Sequence, residues 1–103
     1  EALQRAQVAR YHGVALSALK DVRQALARYD GERQRLQALE AALAHSQHSF
    51  ALAQGNYRAG TVDGLALLDS EREMISLRAS HTEARGRLAQ AQVNLFRALG
   101  GRW

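Results

Sequence analysis

His45 and His48 lie three residues apart, so a helix would carry both imidazoles on one face, where they could jointly hold a metal ion. A durable site recruits three or four ligands, and no third ligand is evident beside this pair, so it reads as exposed and no metal is expected. His12 and His81 are isolated in the sequence. Asp69 stands close to Glu71, Arg72 and Glu73, a cluster that suits either a solvated helix surface or one acid with a task of its own. The serines, histidines and acids show no spacing that would set a base beside a nucleophile, and long paired helices offer no concave pocket to exclude water. No catalytic residue and no cofactor are expected, and the chain does not read as an enzyme.

The elements that carry these residues are constrained by composition. Of 103 residues, 47% are hydrophobic but only 6% are aromatic, and Ala and Leu supply most of the apolar surface. That favours helices packing through small contacts over a thick globular core. Proline is absent, so no residue forces a helix to end by removing a backbone donor. The absence of cysteine excludes disulfides and thiolate metal sites without deciding the compartment. The formal charge of +4 is spread along the chain with acids interleaved among the arginines. A nucleic-acid arm would show a basic block or a basic stripe alternating with aromatics, so no nucleic-acid partner is expected. The sequence has neither a signal peptide nor an apolar run long enough to span a membrane, and with Glu1 first it reads as an internal fragment.

Val8, Ala15, Val22, Tyr29, Leu36, Leu43, Phe50 and Tyr57 are all apolar and fall seven residues apart without a slip. Chance gives such a run in any of seven registers with a probability of only about 0.02. Tyr11, Ala18, Ala25, Glu32, Leu39, Ser46 and Ala53 follow three residues on, completing the seam of a left-handed coiled coil. The repeat predicts a helix over 1–58, roughly 85 Å long at the usual rise. Asp30-Gly31 is a turn signal that would split this helix and give a three-helix bundle, but the seam keeps its register across the glycine.

A firmer break comes at Tyr57-Arg58-Ala59-Gly60-Thr61-Val62-Asp63-Gly64. Gly60 suits the left-handed position after a helix, and Thr61 or Asp63 can accept from the free amides that open the next one. The tip is expected at 59–63 and a second helix at 63–99, closed by Gly100-Gly101. That helix carries Leu68, Ile75, Thr82, Ala89 and Phe96 at heptad spacing. A second stripe runs through Leu67, Met74, Leu88 and Leu95, with Leu77, Ala84, Ala91 and Ala98 beside it. Folding about Gly60 to Val62 places Leu43 near Ala79, Leu36 near Gly86 and Tyr29 near Val93, and leaves residues 1 to about 21 overhanging. The expected fold is all-α, a long antiparallel two-helix coiled-coil hairpin forming one segment over 1–103. Its surplus apolar surface implies neighbouring helices.

Tyr57-Arg58-Ala59-Gly60 followed by Leu65-Ala66-Leu67-Leu68-Asp69-Ser70 resembles the Tyr-x-x-Gly…Val-Leu-Asp-Ala signature of the TolC-like outer-membrane efflux family. Tyr11-His12-Gly13-Val14-Ala15-Leu16, Lys20-Asp21-Val22 and Ala25-Leu26 are similar to the beginning of that family's second long tunnel helix. Leu95-Phe96-Arg97-Ala98-Leu99-Gly100-Gly101-Arg102-Trp103 is similar to the ending common in its NodT-like lipoprotein branch. The resemblance spans nearly the whole chain, in order and spacing, and identifies it as the C-terminal helical hairpin of such a channel.

The resemblance implies a fragment of a periplasmic α-helical barrel, in a parent that is a homotrimer capped by an outer-membrane β-barrel. The parent would serve a tripartite efflux or type I secretion system in the Gram-negative envelope. It would meet a periplasmic adaptor (membrane fusion) protein directly and an inner-membrane pump indirectly, while this segment spans no membrane. By the same resemblance Tyr57, Arg58, Gly60, Thr61 and Val62 form the adaptor-binding tip, and Asp69 matches an aspartate of the entrance gate. The sequence departs from some members in having Ala66 in place of a second aspartate and Val62 in place of a basic residue, so a tightly bonded closed gate is not implied. The alternative from the residues alone is a soluble coiled-coil interaction or scaffold module.

Overall fold

The computed structural model describes residues 1–100. Two helices, α1 (Ala2–Arg58) and α2 (Gly64–Ala98), pack as a hairpin measuring 87 × 21 × 15 Å. Gly101, Arg102 and Trp103, which complete the resembling ending, lie outside the described residues.

α1 is continuous through Asp30-Gly31. A turn there would use the aspartate as a local acceptor for backbone amides. Instead Asp30 Oδ1 accepts from Arg33 Nη2 at 3.0 Å and Oδ2 from Gln34 Nε2 at 2.9 Å, one helical turn on. Both carboxylate oxygens are therefore engaged along the outside of the helix, and the three-helix arrangement does not form. Gly31 has no positive φ and no atom near the place a Cβ would take. Gly31→Ala is accordingly expected to stabilise the chain by about 1 kcal/mol, the helix-propensity difference alone, read from the thermal or denaturant unfolding midpoint.

The seam of α1 follows the heptad. Val22, Ala25, Tyr29, Glu32, Leu36, Leu39, Leu43, Phe50 and Ala53 are half-buried and Ser46 is buried. Ser46 is 4% exposed, and its hydroxyl donates to the Leu43 carbonyl at 2.9 Å, so a polar group sits in the seam without an unmet donor. Glu32 is less well served: its Oε2 is buried with no hydrogen-bond partner among the described residues. Toward the N-terminus the same seam runs bare, with Val8 68% and Tyr11 78% exposed. Residues 1–21 are all exposed, which is the overhang the unequal helix lengths require.

On α2 the inward face is the second of the two stripes. Leu67, Met74, Leu77, Leu88, Leu95 and Ala98 are half-buried, while Ala84 is 1% and Ala91 3% exposed. Leu68, Ile75, Thr82, Ala89 and Phe96, which also repeat every seven residues, face outward. Ala79, Gly86 and Val93, placed near Leu43, Leu36 and Tyr29 by folding about the tip, are exposed and so lie off the buried centre of the seam. Their height along the hairpin is nevertheless close. His81 Nε2 lies 3.5 Å from Glu40 Oε1, one residue from the register that pairs Leu43 with Ala79. His81, isolated when taken among the histidines alone, is thus a half-buried seam residue that bridges the two helices and fills the place between Met74 and Leu88 in the inward stripe.

Candidate interaction site at the hairpin tip

The tip is built by two caps that meet. Gly60 adopts φ +78°, the left-handed conformation that costs a residue with a Cβ. Thr61 N donates to Asn56 O at 2.9 Å and Gly60 N to Tyr57 O at 3.0 Å. This pair of bonds is the Schellman arrangement, which satisfies carbonyls that α1 leaves open at its end. Ala59 N takes a third, Gly55 O, at 3.0 Å, and Thr61 Oγ1 also donates to Asn56 O at 3.0 Å. Thr61 therefore closes α1 rather than opening α2. Asp63 opens α2: extended in its own backbone, it accepts from Ala66 N through Oδ1 at 2.9 Å.

These bonds put Tyr57 and Arg58 in the last turn of α1 and Gly60, Thr61 and Val62 in the turn itself. Val62 is half-buried and the other four are exposed. The ring of Tyr57 lies over Gly64, its Cε2 being 3.8 Å from where a Cβ on that glycine would stand. Tyr57 as a whole nevertheless remains 49% exposed. Phe50, one heptad back, is half-buried against the hairpin. Leu52, Leu65 and Leu68 add exposed apolar surface around the tip. None of these three belongs to the tip residues that the resemblance implies; for Leu52 and Leu65 the available signal was an apolar side chain outside the seam register.

Asp69 sits on the outward side of the second turn of α2, about 8 Å along the axis from Gly64 at the usual rise. It is exposed and has no hydrogen-bond or ion-pair partner among the described residues; the ion pairs are Arg33–Asp30, His81–Glu40 and Arg87–Glu83. The tip residues are thus gathered into one surface, and Asp69 stands apart from it, higher on α2. His45 and His48 are both exposed, and among the described residues no group of three His, Asp or Glu side chains could hold a metal ion. The grooves are shallow. One of about 690 Å³ follows the bare overhang, lined by Glu1, Gln4, Arg5, Val8, Ala9 and His12.

With this geometry in hand, the outer membrane efflux protein family model matches residues 1–101. The chain belongs to the outer membrane efflux protein family. It is 34% identical over 103 residues to outer membrane protein OprJ of Pseudomonas aeruginosa, covering all of this chain and 22% of the relative. It is 35% identical over 105 residues to the pyoverdine export outer membrane protein OpmQ of Pseudomonas putida, again with all of this chain and 22% of the relative covered. It is 31% identical over 96 residues to the toluene efflux pump outer membrane protein TtgC of Pseudomonas putida, covering 93% of this chain and 20% of the relative. The chain thus spans about a fifth of the length of these efflux proteins. No solved structure matches significantly. No described helix of this efflux-protein segment is long and apolar enough to cross a membrane.

Proposed function

We propose that this hairpin is a periplasmic tunnel segment of an outer-membrane channel in a tripartite efflux or type I secretion system. Three roles follow for it: tunnel wall, docking tip for a periplasmic adaptor, and part of the entrance gate. The observation that carries the reading is that the hairpin keeps apolar surface in two places it cannot cover itself. One is the outward stripe of Leu65, Leu68 and Ile75 on α2, and the other is the bare seam of the α1 overhang. A wall segment needs such surfaces because each helix in a closed barrel packs against neighbours on both sides. The parent is then a homotrimer, its energy comes from an inner-membrane pump acting through the adaptor, and the segment itself catalyses nothing. Opening involves sliding of this hairpin against its neighbours.

Asp69 is the gate residue in this account. Three unpaired carboxylates around a threefold axis repel one another and concentrate cations at a constriction. Reconstituted in a planar bilayer, the full-length channel is expected to be blocked by divalent cations added from the tip side. Asp69→Asn should weaken that block by about tenfold or more, since focusing by a ring of like charges is worth at least that. An unchanged block would make Asp69 an ordinary solvated acid and remove it from the gate.

A further inference from the structure

The tip is almost without charge. Across the 28 residues from Ala41 to Leu68 the only Asp, Glu, Lys or Arg side chains are Arg58 and Asp63. Asp63 is committed to the helix it opens, accepting from Ala66 N at 2.9 Å at the positive end of α2. Arg58 is exposed and has neither an ion pair nor a hydrogen bond among the described residues. It sits in the last turn of α1, where the C-terminal end of the helix favours a cation, but no hydrogen bond ties it to the carbonyls of Gly55, Asn56 and Tyr57, which accept from Ala59, Thr61 and Gly60. The surface it crosses is apolar, with Leu52, Tyr57 and Leu65 all exposed, Leu65 by 66%. One uncommitted guanidinium therefore stands in a neutral, partly greasy tip.

A partner that covers this surface must remove water from Arg58. A guanidinium buried without an opposite charge loses its hydration with nothing in return, which is why breaking a buried pair is so destabilising. A carboxylate meets it with two parallel N–H···O bonds. Resting on the adaptor-docking reading above, we propose that the tip selects an adaptor hairpin that presents an Asp or Glu carboxylate within an apolar patch, and that Arg58 is the residue that reads it. A partner surface with a basic residue at that point is rejected by like charge, which makes Arg58 a specificity determinant as well as an anchor.

The test uses the full-length channel carrying this hairpin and the purified periplasmic adaptor of its pump, with binding followed by surface plasmon resonance at low and moderate salt. Arg58→Glu is expected to weaken binding about tenfold or more, chiefly by speeding dissociation, and to reverse the salt dependence that the wild type shows, because salt then screens a repulsion between two carboxylates. Arg58→Lys, which keeps the charge but loses the bidentate fork, should fall between. Replacing the adaptor's tip carboxylate by Arg should restore binding to Arg58→Glu. Wild-type affinity and salt dependence in Arg58→Glu, or tighter binding by that variant, would overturn the pairing while leaving tip docking intact. An adaptor that binds Gly60→Val as well as wild type would instead overturn docking at the tip, and this inference with it.

Discussion

Ala84→Leu is expected to destabilise the hairpin by about 1–3 kcal/mol, the usual cost of forcing methylenes into a closely packed contact. Ala84 is 1% exposed and Ala91 3%, so these two alanines are the buried apolar residues at the centre of the contact between the helices. A leucine at either place must find room for three more carbons in a buried contact, and the helices are expected to shift apart. The control lies on the same helix. Leu68→Ala removes a larger side chain, yet Leu68 faces out, and its loss should change stability by no more than about 0.5 kcal/mol, as for other surface substitutions. Chemical denaturation of the 103-residue chain distinguishes the two. Equal effects would mean that the stripe through Leu67, Met74, Leu88 and Leu95 is not the one that meets α1.

Gly60→Val should have an effect of similar size by a different route. A residue with a Cβ held in the left-handed conformation costs about 1–2 kcal/mol, and β-branching makes it worse. At φ +78° the valine must keep that strain or surrender the Schellman bonds to Asn56 and Tyr57. Gly60→Asn should be the mildest replacement, because asparagine tolerates this conformation. The expected order of unfolding midpoints is Gly, then Asn, then Val. An unchanged midpoint for Val would mean that the turn is made elsewhere.

Both predictions rest on features that were legible to different degrees in the sequence. The α1 seam from Val22 to Ala53 was readable because a repeat of seven, unbroken at eight positions from Val8 to Tyr57, has one helical solution. The tip was readable because a glycine at a helix end and an Asp before the next helix have specific backbone tasks. Thr61 and Asp63 were alternatives there, and only the hydrogen bonds assign the first to α1 and the second to α2. The inward face of α2 was not readable. Its two stripes repeat every seven residues alike, and periodicity records that a face is apolar without recording which partner covers it. Pairing by distance from the turn fixed the height of Ala79, Gly86 and Val93 but not the side of the helix they occupy.

Asp30-Gly31 shows a local signal yielding to a longer one. The turn propensity of Asp-Gly is outweighed by the seam on both sides, and the aspartate turns its oxygens to Arg33 and Gln34 instead. His81 and Glu40 show the reverse limitation, since a contact 41 residues apart in sequence leaves no local trace. The tip residues Tyr57, Arg58, Gly60, Thr61 and Val62 were legible as a motif. The freedom of Arg58 was not, because it depends on which acceptors around it are already occupied.

The measurement that bears most directly on the central claim is a cross-link made in living cells. The 103-residue segment contains no cysteine, so a single cysteine within it, at Thr61 in the full-length protein, can carry a thiol-directed photo-crosslinker without competing sites in the hairpin. Illumination is predicted to join the channel to the periplasmic adaptor, and the same probe at Leu16 on the overhang is predicted to join it to the channel's own subunits and not to the adaptor. Capture of the adaptor from Leu16 and not from Thr61 would contradict the account, because the capped turn would then point away from the partner it is argued to meet.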